Sequence, residues 1–222
     1  MTPSASSSTP CKLVILISGG GSNLQSFIDA VSNGSLPAEI VAVFSNRPSA
    51  FGLQRAANAG IASELIDHTD FANREAFDAE LMQRIDTYSP DLVILAGFMR
   101  ILTPGFVQNF HGRLLNIHPS LLPKYPGLHT HQRAIDAGDQ YAGATVHFVT
   151  EELDGGPAII QAAVPIAADD TAETLAQRVL TKEHIIYPLA AQWFAEGKLT
   201  LEANYALLEN TQLPAGGYQY ND

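Results

Sequence analysis

The stretch Leu114-Leu115-Asn116-Ile117-His118-Pro119-Ser120-Leu121-Leu122-Pro123-Lys124-Tyr125-Pro126-Gly127 sets an amide and an imidazole at the end of an apolar run and then stiffens the chain with prolines. Alternate residues of an extended chain share a face, so Asn116 and His118 point the same way. Two hydrogen-bond donors aimed at one oxygen are what a developing oxyanion needs, as in acyl transfer. Farther along, Asp154 stands before Gly155-Gly156-Pro157, and a carboxylate beside an imidazole favours the protonated ring. The set comes from the ends of separate expected strands, Asn116 and His118 from one and Asp154 from beyond another, and each end is followed by a conformational lock, Pro119 or the Gly-Gly-Pro run. From spacing alone, an Asn cap, a satisfied His and a turn Asp fit as well as a catalytic set.

A second candidate is the loop Ser18-Gly19-Gly20-Gly21-Ser22-Asn23, which lies between an apolar run and the helical pattern Leu24, Phe27, Ile28, Val31. Glycines let the backbone approach a ligand, and free N–H groups at a helix start bind anions such as phosphate. A dinucleotide fingerprint needs a third glycine where Leu24 stands, and a Walker loop needs a Gly-Lys-Ser/Thr that is absent. A general phosphate cradle at Gly21, Ser22 and Asn23 remains, and a bare strand-to-helix turn fits the loop equally. No Gly-x-Ser-x-Gly elbow occurs. His129 and His131 lack the cysteine or paired carboxylate of a zinc site, so no metal is expected. They read as helix-start residues, one exposed and one against a neighbouring loop. His147, alternating within an apolar run, reads as a core imidazole satisfied by a neighbour. Asn46-Arg47-Pro48 falls where sheets display ligand loops, although a plain turn fits it better. Cys11 reads as a small apolar group.

The elements that must position these groups alternate in type. Strands are expected at 12–17, 40–45, 61–66, 92–96, 113–117, 144–149 and 158–164, several of them continuous apolar runs of the kind buried on both faces of a parallel sheet. Helices are expected after the glycine loop, at 52–58, at 71–88, from Pro104, at 129–137 and at 171–195, the last kinked by Pro188. The alternation predicts an α/β, doubly wound, mainly parallel sheet. The close spacing of 144–149 and 158–164 predicts a hairpin-like antiparallel edge. Residues from 198 onward read as a surface arm, residues 1–11 as a disordered Ser/Thr/Pro-rich tail, and 12–222 as one domain.

At 222 residues and 46% hydrophobic content the chain can bury a full core in that one domain. A formal net charge of -11 disfavours non-specific nucleic-acid binding and docking on an anionic membrane, so an anionic ligand must be held by local donors. No apolar run approaches the roughly 20 residues of a membrane span, and no secretory signal is expected, since Lys12 precedes only a short apolar run. A single cysteine excludes an intrachain disulfide framework and fits a reducing cytoplasm.

Leu115-Asn116-Ile117-His118-Pro119-Ser120-Leu121-Leu122-Pro123, with Leu153-Asp154-Gly155-Gly156-Pro157, resembles the folate-dependent formyltransferase family. The glycine loop, Ala96-Gly97-Phe98-Met99-Arg100-Ile101-Leu102 and Lys124-Tyr125-Pro126-Gly127-Leu128-His129-Thr130-His131 resemble the branch of that family that acts on glycinamide ribonucleotide in purine biosynthesis. The resemblance runs over 12–218. It implies a Rossmann-like formyltransferase fold and transfer of the formyl group of 10-formyltetrahydrofolate, a co-substrate, to the ribonucleotide's amine without a metal. In the family, residues matching Asn116 and His118 face the formyl oxygen, and the match of Asp154 keeps the histidine protonated or moves a proton through water. Gly21, Ser22 and Asn23 would hold the phosphate and Glu183 the ribose hydroxyls, although helix position alone makes Glu183 a solvated face. Met99, Arg100, Ile101 and Leu102 would grip the pterin together with Asn116. Thr150, Glu151, Glu152, Leu153 and Asp154 would form the opposite wall, with Arg74 nearby. The resemblance also implies small-molecule substrates, no nucleic-acid or membrane partner, and a monomer or homodimer in the cytoplasm. Two other readings stand beside it. A hydrolase of 10-formyltetrahydrofolate usually carries a regulatory domain for which this chain has no room, and the intact Asn116, His118 and Asp154 argue against a non-catalytic phosphate-binding module.

Overall fold

Continuous apolar runs are stable as strands only where both faces are covered, and the runs of the first half of the chain build such a sheet. The structure, a computed structural model, describes residues 9–221. Strands β1 (Cys11–Ile17), β2 (Ala38–Ser45), β3 (Ser63–Leu65), β4 (Leu92–Leu95) and β5 (Leu114–His118) are parallel. Strands β6 (Tyr141–Phe148) and β7 (Ala158–Pro165) then return antiparallel, as the hairpin-like spacing predicted. Near the carboxyl end, β8 (Leu199–Glu202), β9 (Tyr205–Leu208) and β10 (Thr211–Gln212) form a small antiparallel sheet. Strand β11 (Tyr218–Tyr220) joins the main sheet beside β7, giving the order β11-β7-β6-β5-β4-β1-β2-β3.

Helices cover both faces, and alternation along each strand decides which residue meets which helix. On one face α1 (Ser22–Ser32), α2 (Gly52–Asn58), α5 (Thr130–Asp136) and α6 (Ala172–Ala195) pack against Ile15, Ile17, Leu115 and Ile117. On the other, α3 (Arg74–Asp86) and α4 (Pro104–Asn109) pack against Val14, Leu16, Phe44 and Leu114. Since Leu115 and Ile117 face α6, Asn116 and His118 project from the opposite face of β5.

Several expectations shift. The chain from 198 onward is not a surface arm: Leu199 and Ala206 are buried, and Tyr218 packs edge-on against Trp193 with ring centroids 5.5 Å apart. Its strands are two to four residues long, too short to show a periodic apolar face. Helix α3 begins at Arg74 rather than 71, because the Asn73 side chain caps it by accepting from Ala76 N at 2.8 Å. Strand β5 runs on to His118, which places the imidazole inside the ladder. Pro188 lies within one continuous helix. Of the expected tail, residues 1–8 lie outside the described residues, and Cys11 is already the first residue of β1. Burial pushes the Cys11 thiol up to about 11, in keeping with an inert apolar role.

Candidate active site

The antiparallel register of β5 and β6 sets Asn116 directly opposite His147 and His118 opposite Thr145. His147 Nδ1 lies 2.9 Å from the Phe148 carbonyl oxygen. A carbonyl only accepts, so that nitrogen carries the proton and Nε2 is the acceptor. Asn116 Nδ2, at 3.2 Å from Nε2, donates to it. The orientation of the Asn116 amide is thereby fixed, with one N–H used and its second N–H left for another acceptor. Burial pushes the His147 pKa down, which keeps the ring in the neutral form this bond requires.

His118 Nε2 donates to the Tyr125 carbonyl at 2.8 Å, and Nδ1 faces Asp154 Oδ2 at 3.5 Å. Both ring nitrogens therefore face acceptors, an arrangement that a doubly protonated ring satisfies. Asp154 Oδ2 also accepts from Gly127 N at 2.8 Å, tying the two loops that flank the imidazole. Asp154 has a φ of 53°, a left-handed conformation that turns its side chain back over the sheet. The turn is held close by Gly156, where a methyl group would overlap the Phe148 carbonyl oxygen. Below His118, Thr145 Oγ1 donates to Ser120 O at 2.7 Å and accepts from Leu122 N at 3.1 Å. Gln161 Nε2 adds a bond to Leu122 O at 2.7 Å. The proline-rich segment is thus pinned to β6 and β7 by hydrogen bonds as well as by its rings.

At the glycine loop, Gly21 caps α1 with a φ of 70° and no side-chain cap, so the first N–H groups of the helix are left for a ligand. A methyl at Gly21 would approach Gly52 Cα to 2.7 Å, so the loop and the start of α2 each require glycine. Asn23 Nδ2 donates to Glu183 Oε2 at 2.8 Å. Two residues far apart in sequence that resemblance alone had joined are in contact, and Glu183 is buried rather than on a solvated face. Burial raises the Glu183 pKa, an effect that the Asn23 bond partly offsets. One helical turn along α6, the Tyr187 hydroxyl lies 3.0 and 2.9 Å from the carbonyls of Leu95 and Leu115, next to Asn116. Helix α6 therefore ties the Asn23–Glu183 pair to the strand that carries the amide.

The two walls named for a folate are both surface loops. Met99 and Ile101 are 58% and 60% exposed, and Leu153, on the loop that carries Thr150, Glu151, Glu152 and Asp154, is 57% exposed. Both loops thus leave large apolar side chains exposed to solvent. Arg100 stacks over the Phe77 ring at 5.5 Å, Leu102 is half-buried, and Arg74 is exposed at the first turn of α3. The segment is tied to α3 at its end by Asp78, whose Oδ2 accepts from Thr103 N at 2.6 Å.

An amide with an N–H to spare, an imidazole beside a carboxylate, a glycine-capped helix start and two loops with exposed apolar side chains follow the strands of one doubly wound sheet. Residues 11–191 match the Formyl transferase family, and the chain belongs to it. It is 56% identical over 206 residues to phosphoribosylglycinamide formyltransferase of Escherichia coli (strain K12), spanning 93% of this chain and 97% of that one. It is 45% identical over 193 residues to the human trifunctional purine biosynthetic protein adenosine-3, covering 87% of this chain and 19% of that protein. The solved phosphoribosylglycinamide formyltransferase of Coxiella burnetii, in complex with CHES, superposes with a TM-score of 0.92 at 48% identity, covering 96% of this chain and all of that one.

The structure also brings in groups that sequence reasoning left aside. His147 is a core imidazole satisfied by two neighbours, the Phe148 carbonyl and the side chain of Asn116. His131 is half-buried, its Nε2 has no hydrogen-bond partner among the described residues, and burial followed by the charge of His118 lowers its pKa. His129 is exposed at the start of α5. Among the described residues no helix is long and apolar enough to cross a membrane.

Proposed function

We propose that the chain transfers the formyl group of 10-formyltetrahydrofolate to the amine of glycinamide ribonucleotide, a step of purine biosynthesis. The observation that carries this reading is the amide of Asn116, held by neutral His147 with one N–H to spare beside the His118–Asp154 pair. The unprotonated amine attacks the formyl carbon, and Asn116 and His118 donate to the oxygen as it gains charge. That oxygen replaces the Tyr125 carbonyl as the acceptor of His118 Nε2–H. Collapse of the tetrahedral species breaks the bond to the folate nitrogen, so one proton moves from the attacking amine to that nitrogen. Asp154, against His118, lies where it can assist this movement through water. No covalent enzyme intermediate is needed. Holding both substrates supplies proximity, and one well-placed oxyanion donor supplies about 3 kcal/mol.

In this reading Gly21, Ser22 and Asn23 hold the phosphate and Glu183 the ribose hydroxyls. Met99, Arg100, Ile101 and Leu102 face Thr150, Glu151, Glu152, Leu153 and Asp154 across the pterin, with Arg74 toward the far end of the folate. The substrates are small molecules and the chain works as a monomer or homodimer in the cytoplasm. A two-substrate assay following the absorbance of the deformylated folate tests the reaction. Formation that depends on glycinamide ribonucleotide is expected, whereas formation independent of it would make the chain a hydrolase.

A further inference from the structure

Ser18, Asn46 and His68 follow β1, β2 and β3, and Met99 follows β4, so the strand order β4-β1-β2-β3 sets these residues side by side at one edge of the sheet. A hydrogen-bonded row crosses that edge. Met99 N donates to Ser18 Oγ at 2.7 Å, and Ser18 Oγ donates to Asn46 Oδ1 at 2.6 Å. His68 Nδ1 lies 2.9 Å from the Asn46 carbonyl oxygen and therefore carries a proton directed at it. The 3.3 Å approach of Asn46 Nδ2 to the same nitrogen is then a contact between two donors. Ser18 and Asn46 are buried, at 4% and 1% exposure.

Ser18 opens the Ser-Gly-Gly-Gly-Ser-Asn loop, and by position it would be counted with the phosphate cradle. Its bonds say otherwise. A serine hydroxyl has one proton, and that proton is committed to Asn46 while the oxygen accepts from Met99. The glycine loop has its own ties: Gly19 O accepts from Gly52 N at 3.0 Å, Gly20 O from Arg55 Nε at 2.8 Å and Gly21 O from Gln25 N at 2.9 Å. The segment after β4 is tied at its start by Ala96 N to Leu16 O and at its end by Thr103 N to Asp78. Between these, the Ser18 hydroxyl fixes the backbone at Met99, next to the exposed Met99 and Ile101 side chains.

The geometry points to Ser18 as a positioning residue for the folate rather than for the phosphate: through Met99 N it sets the wall formed by 99–102. The inference rests on the reading of that wall as folate-binding. Removing the hydroxyl leaves a Met99 N–H without its acceptor and frees the wall to shift, while the phosphate cradle keeps its anchors.

The test measures equilibrium binding of a hydrolysis-resistant 10-formyl folate analogue and of glycinamide ribonucleotide to the full chain and to Ser18→Ala, Ser18→Cys and Ser18→Thr. Ser18→Ala is expected to weaken the folate analogue about tenfold and the ribonucleotide by less than about threefold. Ser18→Thr, which keeps the hydroxyl, recovers most of the loss. Ser18→Cys, of similar shape but a weak acceptor, gives the same selective loss and serves if the alanine variant fails to fold. A larger loss for the ribonucleotide, an equal loss for both ligands, or no loss for either overturns the role. Ile101→Asp is the control for the underlying reading. If it leaves analogue binding unchanged, the 99–102 wall is not the folate site and the assignment falls with it. If it weakens binding while Ser18→Ala does not, only the positioning role falls.

Discussion

A neutral His147 holding the Asn116 amide is a single-residue arrangement with measurable consequences. His147→Phe keeps the bulk but leaves the amide free to rotate, and a hydrogen bond of this kind contributes about 1 kcal/mol. Turnover should fall about fivefold with both KM values nearly unchanged. Asn116→Ala and His118→Ala remove donors to the oxyanion itself, and each should lower kcat by about a hundredfold or more while folate binding is largely kept. Near-normal turnover by purified His118→Ala would refute the mechanism. The His147 pKa is lowered by burial, so the folded chain binds fewer protons there than the unfolded chain does. That contribution to stability is present above the ordinary imidazole value of 6.5 and is lost as pH falls below it. Thermal denaturation between pH 7 and pH 5 should therefore show a shallower decline in His147→Gln than in the parent, and equal slopes would contradict a neutral buried ring. Asn116 and His118 were legible in the sequence because i and i+2 of a strand share a face whatever the strand pairs with. His147 was not, since its nearness to Asn116 depends on the cross-strand register of β5 and β6, which no single sequence displays.

The loop between β6 and β7 carries Asp154 to His118, and its shape depends on a close approach at Gly156. A methyl there would press on the same Phe148 carbonyl that accepts from His147. Gly156→Ala is thus expected to separate loop from strand, displacing Asp154 and loosening the Asn116 amide in one step. Strain of this kind costs about 1–3 kcal/mol. For a chain of this length that corresponds to a fall in Tm of about 2–10 °C, with kcat reduced about tenfold or more. Calorimetry and steady-state kinetics on one preparation check both, and an unchanged kcat would show that the loop does not need this contact. The Gly-Gly-Pro run was readable as a lock before its purpose was visible, because only the fold supplies the carbonyl that the glycine must clear. The same holds for other elements. Long apolar runs such as β1 and β4 were legible because burial on both faces leaves no polar position in them. The start of α3 lies three residues beyond where its apolar spacing points, since the cap at Asn73 sets it.

At the scale of the molecule, the edge furthest from the glycine loop is also connected to the chemistry. Strand β11 pairs in parallel with β7, Gln219 opposite Gln161. Gln219 Nε2 lies 3.3 Å from Gln161 Oε1, and Gln161 Nε2 reaches Leu122 O and Thr145 Oγ1 at 2.7 and 3.0 Å. A chain of amide and hydroxyl contacts therefore runs from the carboxyl end of the protein to the segment behind His118. Nothing in the sequence signals it, because three residues of strand carry no pattern and their partner lies far away along the chain. Truncation after Gly217 removes the ladder to β7 and the Tyr218–Trp193 contact, and it exposes β7 as an unpaired edge. The truncated chain should melt about 5 °C lower and aggregate more readily, and its kcat should fall several-fold as Gln161 loses its orienting partner. Gln219→Ala separates the two effects. It keeps the backbone ladder, so Tm should stay within about 2 °C of the parent, while kcat falls by about twofold, as expected for one weak hydrogen bond acting through Gln161. If Gln219→Ala leaves kcat untouched while truncation lowers it, β11 acts on the site only by holding the sheet together, and the amide chain transmits nothing.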